Sequence, residues 1–514
     1  MNVHDPWRAR LTGPTSLSAI VVATYVAIGL FTLARMPIVW LDEPLYTQPA
    51  WSFVTNGSFG MTMFPGLHGL DQTNVVFGRI YLGYIAVSFK LLGLGPFQAR
   101  LPSFVAGLVV IYLTYLLGRR LWNARAGVFA AIALAVSPVF LMQTHDARPE
   151  MLLLAFFLAA LYLAVRSDAE SGIRGHIGAG VIAGLAADIH LNGVLVPFVL
   201  IAFVAVRVGP QRILLRRGTV LVAGTLLGWM WWGMVHVLPN PALFLDQWSS
   251  GQSGTLPIQL LGTDLRTVFM AEPLRFLQAT LRWWPLAWLM PLGAILGGVI
   301  LLRHHRDRNV LGVLGCIAGM ILLMALLVAH KAPTYAVLVW PFGALLVGRW
   351  LSVAVGRAAA IGILVTTSLA SVFALSIVAA SEWQGDYDQF VGELRGYIPA
   401  GATIQGEPTY WYGLADHPYI ADQYFGRDAP YAETVRRLGI EYIIADEYFL
   451  DTVLKVQRMV SEADVQDFLA HHADLVIELQ DPQYGQAGWG QSSEYQTSVW
   501  ESASHTTRIY RVRP

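Results

Sequence analysis

The sequence predicts a mainly α, polytopic membrane protein with about eleven membrane-spanning helices and surface helices between them, followed by a small C-terminal α/β domain. Three observations lead there. Of 514 residues, 55% are hydrophobic and 13% charged, and the mean hydropathy is +0.51, far too apolar for a water-soluble globule. Apolar runs long enough to cross a bilayer recur between residues 17 and 380. Beyond residue 381 charged and aromatic residues mix, and short strand-like runs alternate with helix-like ones. The expected division is therefore 1–380 for the membrane part and 381–514 for the α/β domain.

Taken in order, Arg8 and Arg10 precede an apolar run over 17–34 that is longer than a signal-peptide core. Its exit, Ala34-Arg35-Met36-Pro37, is a poor cleavage site, so the run reads as an uncleaved first span. Further spans fall at 101–118, 127–144, 150–166, 175–190, 192–207, 218–237, 284–302, 309–329, 334–350 and 358–380. The segment 77–95 is moderately apolar but carries Arg79 and Lys90. If it lies along the surface as an amphipathic helix, the turns bearing Arg119, Arg120, Arg125, Arg166, Arg207, Arg217, Arg303, Arg308 and Arg349 all share the side of the N-terminus. The positive-inside rule then puts the N-terminus inside and the C-terminus outside. In the tail, strands are expected at 402–405, 442–445, 475–479 and 508–512, with helices at 387–397 and 432–438.

Composition also excludes partners. Lys+Arg and Asp+Glu both number 34, so there is no basic excess for a polyanion, and nucleic acid is not the partner. The single cysteine, Cys316, lies in an apolar run and rules out disulfides and cysteine metal sites.

Polar residues collect at the outer turns. Asp42 and Glu43 follow the first span; His68 and Asp71 lie in the first loop; His145, Asp146, Arg148 and Glu150 form the next outer junction. Asp188, His190 and Asn192, then His330, Lys331 and Tyr335, complete the set, whereas arginine dominates the inner turns. Such groups are costly near a bilayer unless they face water, a partner or a substrate, and a pocket shared between helix ends would use them. Two readings of Asp42-Glu43 stay open: acids at the start of a surface helix near Pro44, or acid/base or metal chemistry at the mouth of a membrane cavity.

The acidic pair after the first span, Gly95-Pro96-Phe97-Gln98-Ala99-Arg100-Leu101-Pro102-Ser103 leading into the second, Ala147-Arg148-Pro149-Glu150 and Lys331-Ala332-Pro333-Thr334-Tyr335 together resemble the bacterial family-39 glycosyltransferases. That group includes lipid A aminoarabinose transferases, protein O-mannosyltransferases and rhizobial lipopolysaccharide-core transferases. The resemblance covers about residues 17–350. It implies a GT-C fold and a monosaccharide donor carried on polyprenyl phosphate. Transfer would go to a lipid, glycan or protein acceptor, at the periplasmic face of the bacterial inner membrane.

By motif position, Asp42 matches the catalytic carboxylate and Glu150 the second acid, while Lys331 and Tyr335 match positions near the lipid phosphate. Two departures stand out: Leu45 replaces a basic residue, and His68-Gly69-Leu70-Asp71-Gln72 replaces an acidic-Lys-Pro element. As chemistry, Asp42 serves as base in an inverting displacement, with Glu43 and Glu150 beside it. Arg148, His190, Lys331 and Tyr335 surround the departing phosphate. Asp42, His68, Asp71 and His145 could supply ligands to a divalent cation, Mg2+, Mn2+ or Zn2+, although their spacing is specific for none. The segment 239–283 would close over the site. The alternative is a transporter or flippase of lipid-linked sugar, which would place its polar groups near the midplane within inverted repeats; here they gather at one face and no repeat is visible.

Overall fold

The structure, a computed structural model, describes residues 14–170, 173–208, 216–252, 272–277, 279–280, 288–305, 307–328, 332–382, 386–425, 429–446, 449, 461–480 and 506–514. Helices dominate, and a five-stranded sheet closes the chain. Among the described residues each expected span falls mainly on helix, but not all of those helices are long. Among the described residues six helices are long and apolar enough to cross a membrane, or seven if Ala124–Ala135 and Pro138–Thr144 form one span bent by 70°. The bend sits at Ser137-Pro138, where proline lacks the N–H that would continue the helix. Helices such as Ile173–Leu185, with 13 residues, are shorter than a bilayer is thick, so length and composition do not establish the count of eleven.

Segment 77–95 is a 14-residue helix, Arg79–Leu92, again too short to span. Tyr81, Leu82, Ile85 and Phe89 bury one face, while Val87, Leu91 and Leu92 are exposed on the other, the pattern of a helix lying on a surface.

Small residues bring the spans together. Gly180 and Gly184 on Ile173–Leu185 face Gly224 and Gly228 on Gly218–Trp232. A Cβ on Gly184 would lie 2.4 Å from the Thr225 carbonyl oxygen, and one on Gly228 2.6 Å from the Leu185 nitrogen. Only glycine lets these backbones meet, the G-x-x-x-G mode of helix packing in lipid.

The inner turns are more than arginine. Asp168 accepts from Arg207 and Arg217 and faces His176, while Arg207 reaches Asn309 and Trp122 donates to Asp307. An ion network thus ties several spans at the end opposite the polar outer turns.

The terminal sheet has the order β2-β1-β3-β5-β4. Strands β1 (Ile404–Gly406), β2 (Tyr419–Ala421) and β3 (Tyr442–Ala445) are parallel, and β5 (Thr506–Val512) runs antiparallel between β3 and β4 (Ala473–Gln480). Glu407, Asp422 and Asp446 each follow the end of a parallel strand and are buried. Gln405 donates to Asp422 and Tyr410 to Asp446. Burial, reinforced by Asp446, pushes the Glu407 and Asp422 carboxyls well above the usual carboxylate range.

This α/β unit docks on the first outer loop. Ala421 N donates to Met63 O (3.2 Å), Arg35 pairs with Asp386 (3.2 Å), and the hydroxyls of Thr47 and Tyr412 lie 2.8 Å apart in a buried contact. Tyr412→Phe removes one hydroxyl of that contact and is expected to lower stability by about 1 kcal/mol, read from thermal unfolding in detergent.

Candidate active site

The helix Asp42–Asn56 begins as the chain leaves its first span, with Leu41 at the N-cap position and no side-chain cap. Successive residues on a helix point about 100° apart. Asp42 and Glu43 therefore diverge. Glu43 turns inward and is wholly buried. It accepts from Arg100 Nη2 and Nε, both at 2.7 Å, from Trp40 N at 3.0 Å and from Ala147 N at 3.1 Å. Arg100, also buried, donates in addition to Leu33 O and Ile38 O. This bidentate pair knots the end of the first span, the start of the surface helix, the second span and the turn at Ala147. Expected to be catalytic, Glu43 has its acceptor capacity spent on protein donors away from solvent, so its role is to position.

Asp42 turns outward, with 27% of its side chain exposed, and accepts from Arg148 Nη1. Arg148 is buried and divides its guanidinium between two acids: Nη1 goes to Asp42, and Nη2 (2.9 Å) and Nε (3.1 Å) go to Glu150. The rings of Trp40 (4.9 Å) and Tyr46 (5.4 Å) flank it, and Phe77 stacks on Tyr46. Burial by itself would lower the Arg148 guanidinium, but Glu150 and Asp42 hold it well above its ordinary value. Glu150 opens the helix Glu150–Glu170, where the positive end of the helix dipole also favours a carboxylate.

His190 and Tyr335 complete the group, their ring centres 5.5 Å apart. His190 accepts from Asn192 N at Nδ1 (3.1 Å), so its hydrogen sits on Nε2. On the far side of Tyr335 lies Arg275, 5.4 Å from the ring centre and paired with Glu272 at 3.0 Å. The adjacent Phe276 lines an apolar cavity of about 310 Å3 between the helices Leu289–His305, Arg308–Leu327 and Trp340–Val353, whose walls include Met290, Ile317, Trp340 and Leu346.

Other expected residues lie elsewhere. His68 pairs with Asp246 (3.0 Å), and Asp71 Oδ1 is buried without a partner among the described residues. His145 is buried between Thr32 (3.0 Å) and the Leu141 carbonyl (2.8 Å), and burial pushes it down to about 4. No three His, Cys, Asp or Glu side chains among the described residues converge as metal ligands. The chain therefore does not bring Asp42, His68, Asp71 and His145 together, and between Asp42 and Glu150 the place a divalent cation would take is filled by the Arg148 guanidinium. Lys331 lies outside the described residues, as does much of 239–283. The start of that segment is a docked helix, Pro241–Gln247, whose Gln247 donates to His68 O and Thr73 O. Asp188 is likewise structural, accepting from Trp231 Nε1 and Arg79 N while facing His236 at 2.5 Å.

Residues 82–232 match the family model described as dolichyl-phosphate-mannose-protein mannosyltransferase. ArnT from Cupriavidus metallidurans, bound to undecaprenyl phosphate, aligns over 96% of this chain and 98% of its own at a TM-score of 0.59 and 16% identity. The chain has the GT-C fold. The oligosaccharyltransferase of Archaeoglobus fulgidus shares this fold: its complex with zinc and sulfate aligns over 88% of this chain and 71% of its own, with a TM-score of 0.53 and 14% identity. Its apo form aligns over 89% and 73%, at 0.55 and 12%. No curated protein matches in sequence. In this GT-C chain Arg100 and Arg275 escaped sequence reasoning, although Gly95–Ser103 drew attention to the stretch that holds Arg100.

Glu43→Gln should cost about 3–5 kcal/mol by stranding the Arg100 charge, and Glu43→Gln/Arg100→Met should recover much of it, both read by thermal unfolding. A second expectation concerns acid. Burial pushes His145 down to about 4 against an ordinary 6.5, so as pH falls through that window the unfolded chain binds a proton that the folded one does not. Stability should therefore fall from pH 6.5 to 4, and His145→Gln should flatten the profile.

Proposed function

We propose that the protein is a membrane glycosyltransferase that moves a monosaccharide from a polyprenyl-phosphate donor to a lipid, glycan or protein acceptor by a single inverting displacement. The observation that carries this reading is the array of two acids, Asp42 and Glu150, held on one buried guanidinium, Arg148. Asp42 is the exposed acid of the cluster, oriented by Arg148, while Glu43 and Glu150 are buried. It takes the proton of the acceptor hydroxyl as that oxygen attacks the anomeric carbon. The bond from this carbon to the phosphate oxygen breaks, and polyprenyl phosphate leaves carrying the charge. A phosphate leaves readily, so no strong general acid is required. Arg275, over the ring of Tyr335 and next in sequence to the cavity-lining Phe276, is assigned to offset that charge. Lys331 is assigned to the same task on sequence grounds.

The cavity of about 310 Å3 suits the apolar chain of the donor. The structure of ArnT from C. metallidurans with undecaprenyl phosphate supports a donor of this class, since the two chains share a fold along nearly their full lengths. The inner network of Arg207, Arg217 and Arg349 lies at the ends of the spans opposite the site, which supports an active site on the outer, periplasmic face. Because Arg148 occupies the space between the two acids, no step is routed through a metal.

Asp42→Asn should reduce transfer from labelled undecaprenyl-phosphate sugars by at least about 100-fold while leaving the unfolding temperature unchanged. Turnover near wild type would remove Asp42 as the base. Arg275→Met should raise KM for the donor well before it changes acceptor dependence; an unaltered donor KM would remove the phosphate contact.

A further inference from the structure

Two turns meet where the rings of His190 and Tyr335 face each other. One is the 3-10 segment Leu191–Leu195, and the other is the 3-10 segment Pro333–Val339. Each carries a buried polar group that the fold does not use. Among the described residues, Asn192, 3% exposed, has no hydrogen-bond partner for its Nδ2, and Thr334, 4% exposed, has none for its Oγ1. Buried polar groups in a folded protein are nearly always paired, because water is given up on burial and must be replaced. Two such orphans on the two turns that frame one site point to a ligand that supplies the missing partners.

The chemistry around them restricts that ligand. Asn192 follows His190 closely, its own backbone N–H donating to the imidazole, and His190 lies in the field of Glu150 and Arg148. Those two full charges already compensate each other. An anion placed there would meet neutral donors only, whereas phosphate recognition requires an uncompensated cation. A neutral polyol fits better. Each hydroxyl both donates and accepts, so its oxygen satisfies the Asn192 amide and it can exchange a hydrogen bond with the Thr334 hydroxyl.

We propose that Asn192 and Thr334 are specificity-determining residues that recognise hydroxyls of the donor's sugar ring, away from the anomeric carbon. The inference rests on the glycosyltransferase reading and adds to it where the sugar lies and which residues select it.

The test uses the full chain in nanodiscs, with Asn192→Leu and Thr334→Val as near-isosteric variants. The probes are undecaprenyl phosphate and undecaprenyl-phosphate mannose, glucose, galactose and arabinose, with single-deoxy analogues of the best of these. Without ligand, both variants should unfold at or above the wild-type temperature, since neither loses a partner. Wild type should prefer its best donor over at least one deoxy analogue by about tenfold or more, and that preference should fall to within about threefold in one or both variants. Affinity for sugar-free undecaprenyl phosphate should stay within twofold.

An unfolding temperature lowered by more than about 5 °C in both variants would show that the groups have partners within the protein and would overturn the inference. So would an unchanged preference in both. If wild type uses none of these donors, the proposed function itself falls and the sugar pocket with it; if wild type transfers sugar and the variants keep its preference, only the pocket falls.

Discussion

The wholly buried ion pair between Glu43 and Arg100 is the constraint on which the site depends. Ion pairs of this kind seldom add much net stability, because both charges give up water, but breaking one is severe. Here the severity is structural as well as energetic. Arg100 also holds the carbonyls of Leu33 and Ile38, and Glu43 also holds the amides of Trp40 and Ala147. The first span, the surface helix and the turn bearing Arg148 thus share one fixed point. From that point the next residue along the helix has a defined direction, and Asp42 meets Arg148 at the surface. An acidic pair in sequence takes two separate settings, one carboxylate buried where it fastens the frame and the other partly exposed beside Arg148.

Much of this was legible from the sequence, and the parts that were not have physical reasons. Hydropathy located the helices, and the clustering of Asp42, Arg148, Glu150, His190 and Tyr335 followed from placing helix ends on one face. What hydropathy cannot supply is which polar residue faces which. His68 and His145 looked like ligands because their types suit a metal, but His68 is committed to Asp246 and His145 to Thr32 and Leu141. Arg100 sits at the start of an apolar span, and its partner is 57 residues away, so no local pattern reveals the pair. Arg275 lay within a segment read as a closing loop. In the C-terminal unit the sequence does not single out β2 (Tyr419–Ala421), and the helix Glu462–His472 was missed because its apolar face is narrow, with Val465 and Phe468 buried.

The two ends of the helical part manage charge differently. At the inner ends Asp168 is surrounded by Arg207, Arg217 and His176. At the outer ends the balance is reversed, with Arg148 held between Asp42 and Glu150. A central cation shared by two acids leaves an excess of acid, and a central acid shared by cations leaves a basic face. The same pairing principle therefore gives the two ends opposite charge balances.

The contact between Thr47 and Tyr412 joins residues 365 positions apart. Nothing made early in synthesis can supply its second half. The surface helix bearing Asp42 therefore gains this contact only after Tyr412 has been synthesised and the α/β unit has folded against it. Loop closure over so long a separation is slow compared with local helix formation. A nascent chain already threaded into the bilayer would hold its spans and the Glu43–Arg100 fastening and still lack this last clasp on the surface helix.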